Sequence, residues 1–146
     1  MLPEENKSFV RRIYETFSSG DLNTLDQFIS TDVVDHNPNP SQAPGLQGVQ
    51  DYFREIRGAF TNFRITVEDQ VAEGDRVVSR IVFSGKHTGT FFGIAPTGKE
   101  ITITGMDMAH IENGKLTERW GNEDDLKLMQ ELGVIPRTNT QLDRAA

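Results

Sequence analysis

The hydrophobic spacing of this chain changes period once, near Asn62, and few folds accommodate that change. Upstream, apolar residues recur at helical spacing. In residues 4–18, Phe9, Val10, Ile13, Tyr14 and Phe17 form one face, and Glu4, Lys7, Arg11, Arg12 and Glu15 the other. Ser18-Ser19-Gly20 ends that helix, and Asp21 can cap a short second one carrying Leu22, Leu25, Phe28 and Ile29. A third helix, 49–60, stripes Val49, Tyr52, Phe53, Ile56 and Phe60. Downstream the period is two. Phe63, Ile65 and Val67 alternate toward a turn at Glu73-Gly74-Asp75, a longer strand follows, and "ITITGMDMAHIENG" and "KLTERWGNED" read as a hairpin closed by Asn113-Gly114. "DLKLMQELG" is a last helical segment ended by Gly133.

Helices first and strands after predict an α+β fold rather than alternating βαβ units. The strands are expected to form a curved antiparallel sheet with the three N-terminal helices on one face, which leaves a cone-shaped hollow suited to a ligand. Between the helical segments lie a β-leaning stretch, 31–37, and "NPNPSQAPGLQG", whose three prolines and two glycines rule out a regular helix or a central strand. This loop is either a lid or a plain connector. A chain of 146 residues fits a single domain, taken here as 1–136, with a polar tail at 137–146.

Composition excludes several function classes. A net charge of −7, from 22 acidic and 15 basic residues, argues against nucleic acid or an anionic membrane as partner. With no cysteine, thiolate catalysis, disulfides and sulfur-ligated zinc are excluded. The three histidines show no HxH, HxxxH or HExxH spacing, so no metal site is predicted. The N-terminus "MLPEENKSF" has no basic start followed by an apolar run, and no window is apolar enough to span a membrane, so a cytoplasmic protein is expected.

Alternation in 101–111 separates Ile101, Ile103, Gly105, Asp107, Ala109 and Ile111 from Thr102, Thr104, Met106, Met108 and His110. In 116–124 it separates Leu116, Glu118, Trp120, Asn122 and Asp124 from Thr117, Arg119, Gly121 and Glu123. Pairing across the Asn113-Gly114 turn can place Met106, Met108 and His110 beside Leu116, Glu118 and Trp120. Thioethers, a large aromatic ring and ionisable groups together suggest a lined pocket, so that face is assigned to the hollow.

Several stretches carry a resemblance: "YETFSSGDLNTLDQFIS", "VVDHNP", "GKHTGTFFGIAPTGKEI", "HIENGKLTERW" and "NEDDLKLMQELG". In this order they resemble the SnoaL-like polyketide cyclases, within the superfamily of nuclear transport factor 2 and ketosteroid isomerase, over about residues 6–134. Lys86 and Ala95 depart from the usual pattern. The resemblance implies a cofactor-independent cyclase. An acidic residue after the Trp strand, here Asp124, would act as acid/base, assisted by a His on the preceding strand, here His110. It also implies self-association through the open sheet, as a dimer or tetramer.

The chemistry implied is an intramolecular aldol closure on a small, mostly apolar, carbonyl-bearing ligand. It needs a base within hydrogen-bond reach, donors for the enolate oxygen and a cavity that brings the substrate's ends together. Burial would raise the base's pKa. Tyr14, His36, Met106, Met108, Glu118 and Trp120 are the candidate substrate contacts. Simpler roles are open for the same residues. Asp124 precedes a helix and could be its N-cap, His110 a hydrogen-bonded core histidine, His36 and His87 loop anchors, and Glu118 the ion-pair partner of Arg80. An isomerase or dehydratase using the same base, a non-catalytic ligand-binding protein and an assembly subunit are the rival functions.

Overall fold

The computed structural model describes residues 2–137. Helix α1 runs Pro3–Ser19, with Pro3 at a first-turn position where its missing N–H costs nothing. Gly20 takes the left-handed conformation (φ 88°) that ends it. A short 3-10 helix, Leu22–Gln27, leads into strand β1, Ile29–Asp35. Helix α2, Gly45–Ala59, starts after Pro44 rather than at Val49, so part of the Pro-rich segment joins its first turn. Strands β2 (Phe60–Glu73), β3 (Arg76–His87), β4 (Glu100–Glu112) and β5 (Lys115–Glu123) follow, then helix α3, Asp125–Glu131. The tail expected at 137–146 lies, beyond Arg137, outside the described residues. Among those described, no helix is long and apolar enough to cross a membrane.

The sheet order is β1-β5-β4-β3-β2. β2 through β5 pair antiparallel, as the hairpin signals predict. β1 departs from the expected all-antiparallel sheet. It runs parallel to β5 because α2 and three strands separate the two in sequence, and the chain returns to the far edge. Asn113 (φ 51°) and Gly114 (φ 74°) both adopt positive φ, as a tight hairpin turn requires.

Helices α1 and α2 lie across one face of the sheet. Their apolar stripes, Phe9, Val10, Ile13 and Phe17 with Phe53 and Ile56, are buried against Ile65, Val77, Ile81, Ile101 and Ile103. Phe17 stacks on Phe53 with centroids 3.8 Å apart. The buried residues of β4 are Ile101, Ile103, Gly105, Asp107 and Ala109, which face the helices, and His110 and Ile111 at its end. Here the sequence assignment of faces is corrected. Met106 is half exposed, and Met108, His110, Glu118 and Trp120 share its outer face, away from the helices. Leu116 separates from them, because a register shift between His110 and Ile111 carries it to the helix-covered side. The apolar set wins the inner face because two amphipathic helices offer it far more area to bury.

Candidate active site

A hollow remains between the helices and the inner face of the sheet. Val10, Ile13, Phe17, Val33, Phe53 and Leu116 give it apolar walls, and Tyr14, Asp35, Gln42, Asp107, Arg119 and Glu123 supply polar groups. A second hollow toward α3 shares Asn39, Tyr52, Phe83 and Glu123 with the first and is otherwise largely aromatic and aliphatic.

Arg119 organises the polar groups. Its Nη2 donates to Asp107 Oδ1 (2.9 Å) and to Glu123 Oε1 (2.7 Å). Its Nη1 donates to Asp35 Oδ1 (3.1 Å) and to the Asn37 carbonyl (3.2 Å). Tyr14 of α1 donates to Asp107 Oδ2 at 3.0 Å. Strand geometry explains how one guanidinium reaches so far. Arg119, Gly121 and Glu123 point the same way along β5, and Gly121 faces Asp107 across the ladder. With no side chain at Gly121, the Arg119 head lies over that position and meets Asp107 and Glu123 together. The Pro-rich loop completes the wall: Gln42 donates to Asp35 (3.1 Å), and Asn37 accepts from the Gly121 amide (3.0 Å).

Three carboxylates around one guanidinium carry excess negative charge. Burial, then the charge of Asp107, push the Glu123 carboxyl up to about 7 against the pull of Arg119. Burial opposes the charge on Arg119, but Asp107, Glu123 and Asp35 together outweigh it and keep the guanidinium charged. Burial and neighbouring Asp107 hold the Tyr14 hydroxyl well above its ordinary value. The hollow thus contains a carboxyl able to give a proton, a carboxylate beside it able to take one, and a fixed positive charge.

Most residues singled out from the sequence lie elsewhere. Tyr14 does line the hollow. Asp124 does not: it is the N-cap of α3, accepting from the Lys127 amide at 3.2 Å. His110 sits on the outer face, bonded through Nδ1 to Glu118 and through Nε2 to Asp75, each at 2.9 Å. The two therefore do not share a cavity. His36 bonds Glu118 (2.9 Å) and stacks on Trp120 at 4.4 Å, also outside. Glu118 thus pairs with two histidines rather than with Arg80, which faces Asp69 across the β2–β3 ladder and binds it at 3.1 Å. His87 is fully buried and anchors the 88–99 loop through Thr97 (3.0 Å). Asp35, Asp107, Arg119 and Glu123 were missed. The available signal was a carboxylate standing in register with Ile101, Ile103 and Ala109.

Comparison with known proteins agrees with this architecture. Residues 7–132 match the SnoaL-like polyketide cyclase family. Aklanonic acid methyl ester cyclase AcmA of Streptomyces galilaeus is 25% identical over 118 residues, covering 77% of this chain and 79% of the relative. The structure of TsrD from Streptomyces laurentii superposes with a TM-score of 0.83 at 26% identity, covering 92% of this chain and all (100%) of that one. IdmH of Streptomyces antibioticus, a candidate polyketide cyclase, gives 0.77 at 31% identity, covering 88% and 99%. The helix-covered curved sheet is the nuclear transport factor 2-like fold of these neighbours, and the chain belongs to the SnoaL-like polyketide cyclase family.

Proposed function

We propose that this chain is a cyclase-type acid–base catalyst that closes a ring by intramolecular aldol addition on a small, largely apolar carbonyl compound. Asp107 is the base and Glu123 the acid. The observation that carries the reading is the pair of carboxyls, Asp107 and Glu123, both bonded to one Arg119 nitrogen at the polar side of an apolar hollow, with Glu123 raised to about 7. Asp107 takes a proton from a carbon flanked by carbonyls, and the enolate carbon bonds to a second carbonyl carbon. Glu123 protonates the resulting alkoxide. The proton on Asp107 then passes back to Glu123, so the pair ends as it began. Arg119 already spends its Nη hydrogens on protein partners and acts through charge. Gln42, with one Nε2 hydrogen on Asp35, has a second to offer an enolate oxygen. The balance closes without an external redox partner.

The test is proton exchange into heavy water at the central carbon of ethyl 2-methylacetoacetate, followed by proton NMR. Asp107→Asn is expected to slow enzymatic exchange by about 100-fold or more. Ring closure of longer substrates should fall as pH rises through about 7, where Glu123 loses its proton, and Glu123→Gln should abolish it while leaving exchange in place. Unchanged exchange in Asp107→Asn would remove Asp107 as the base, and wild-type exchange no faster than in buffer would leave a binding protein rather than a catalyst. Exchange with a shifted double bond instead of a ring product from longer substrates would favour the isomerase reading.

We also propose that copies associate through the outer face of the sheet. The ladder aligns Val71, Val78, Met108 and Trp120 in one apolar row across four strands, and Val71 is 67% exposed. Sedimentation should find an oligomer that Val71→Glu with Met108→Glu converts to monomers of unchanged fold. A monomeric wild type refutes the assignment.

A further inference from the structure

The second hollow, toward α3, has no part in the reaction described above, yet it adjoins the first. Its apolar walls are Phe60, Phe63, Phe91, Ile101, Ile103 and Leu128. Protein interiors lose dispersion contacts wherever such a space persists. Here the surrounding chain holds it open. Phe91 and Ile94 exchange backbone hydrogen bonds (3.0 and 2.8 Å) and so brace the loop after β3. His87, fully buried at the end of β3, accepts from the Thr97 amide at 3.2 Å and pins the far side of that loop. Phe91 meets Phe60 edge-on with centroids 5.1 Å apart, so its ring is held as a wall.

The two hollows divide the catalytic carboxyls unequally. Asp107 and Arg119 border the first alone, whereas Glu123 borders both, together with Asn39, Tyr52 and Phe83. The reaction then fixes which way the substrate lies. The carbon that loses its proton is beside Asp107, in the first hollow. The ketone it attacks is beside Glu123, where the hollows meet, because Glu123 protonates the oxygen formed there. That ketone carbon carries one further substituent. Turned back, the substituent would crowd the carbonyl groups that flank the nucleophilic carbon. Turned forward, it enters the second hollow and gains by leaving water for aromatic and aliphatic walls. Asp125, exposed at the start of α3, also borders this hollow, so a neutral substituent fits and an anionic one is repelled. We propose that the second hollow is the subsite for the substituent of the electrophilic ketone, and that the substrate is a dicarbonyl whose electrophilic ketone bears a neutral apolar group larger than methyl. This rests on Asp107 as base and Glu123 as acid.

Ring closure of an isomeric pair, followed by proton NMR, tests it. Ethyl 2-acetyl-6-oxodecanoate carries butyl on the electrophilic ketone, and ethyl 2-pentanoyl-6-oxoheptanoate carries it on the nucleophilic half. Each closes to a cyclopentanol by attack of the carbon between its carbonyls on the distant ketone. Ethyl 2-acetyl-6-oxoheptanoate, with methyl at both places, is the reference. Wild type should close the first isomer with kcat/KM about tenfold or more above the reference, since the added methylenes are buried. Ile103→Phe, which fills the second hollow from β4, should lower the ratio of kcat/KM for the first isomer to that for the second about tenfold. Leu128→Phe fills the same hollow from α3 and should move the ratio the same way, and thermal melting checks that each variant folds. The wild-type comparison needs no variant: no gain from methyl to butyl on the electrophilic ketone overturns the subsite. An unmoved ratio in a folded filling variant does the same. Either result, obtained with a Glu123→Gln that no longer closes rings and an Asp107→Asn that no longer exchanges, leaves the acid and base assignments standing. Closure that persists in Glu123→Gln overturns the acid and the subsite together.

Discussion

Gly121 shows most directly how one residue governs this site. A Cβ there would collide with Asp107 Oδ1 and with the Arg119 guanidinium. Neither can retreat freely: Asp107 is tied to Tyr14 and Arg119 to Asp35 and Glu123. Gly121→Ala should therefore separate the buried Asp107–Arg119 pair, cost on the order of 2–4 kcal/mol, and slow exchange nearly as much as Asp107→Asn. Urea unfolding and the exchange assay measure the two effects. Full activity in Gly121→Ala would mean that the Asp107–Arg119 contact has no part in catalysis. At this scale the sequence was only partly legible. Arg119-Trp120-Gly121-Asn122-Glu123 alternates cleanly, and Asp107 stands in an apolar series, so the inward set could be written down. What could not be read was which set faces the helices. A row with Trp120, two methionines and His110 looks like a ligand wall whenever the other row looks like dry core. The cluster breaks that inference because its charges satisfy one another inside the core.

At the scale of elements, helices and strands were legible because periodicity and turn residues agreed along most of the chain. The register irregularities were not. The shift in β2 that turns Gln70 inward, and the one beside the β4–β5 hairpin that turns Leu116 inward, leave no compositional trace. The parallel placement of β1 needed knowledge of which edge α2 delivers the chain to. Helix α3 gives a direct trial of a misassigned residue. Asp124 caps it by accepting from Lys127, and the helix has only seven residues, so the cap is a large share of its support. Asp124→Ala should cost about 1 kcal/mol and fray α3, with the exchange rate within about twofold of wild type. A collapse of exchange with stability unchanged would return Asp124 to the chemistry and remove the case for Asp107.

For the whole molecule, the buried and outer charge networks push stability toward acid. Glu123 has a folded pKa raised to about 7 from an ordinary 4.5. The folded chain therefore holds a proton that the unfolded chain releases as pH climbs between those values, and stability falls across that window. His110 is raised by its bonds to Glu118 and Asp75, so its contribution is complete below its ordinary 6.5 and disappears as pH rises through the folded value. Glu118 and Asp75 are lowered, chiefly by bonds to His110, so theirs is complete above their ordinary 4.5 and 3.8 and disappears at lower pH. These windows leave maximum stability near pH 5. The melting temperature should be higher at pH 5 than at pH 8 by roughly 5 °C, given about 2 kcal/mol from Glu123. Self-repulsion among the excess acidic groups also weakens toward the isoelectric point of 4.9 and acts in the same direction. Glu123→Gln with His110→Gln separates the causes, because that variant retains nearly all of the net charge. Its melting curve should be flatter between pH 5 and 8, with most of the gain at pH 8. Parallel curves for wild type and variant would assign the slope to net charge alone and deprive Glu123 of the raised proton affinity on which its role as acid stands.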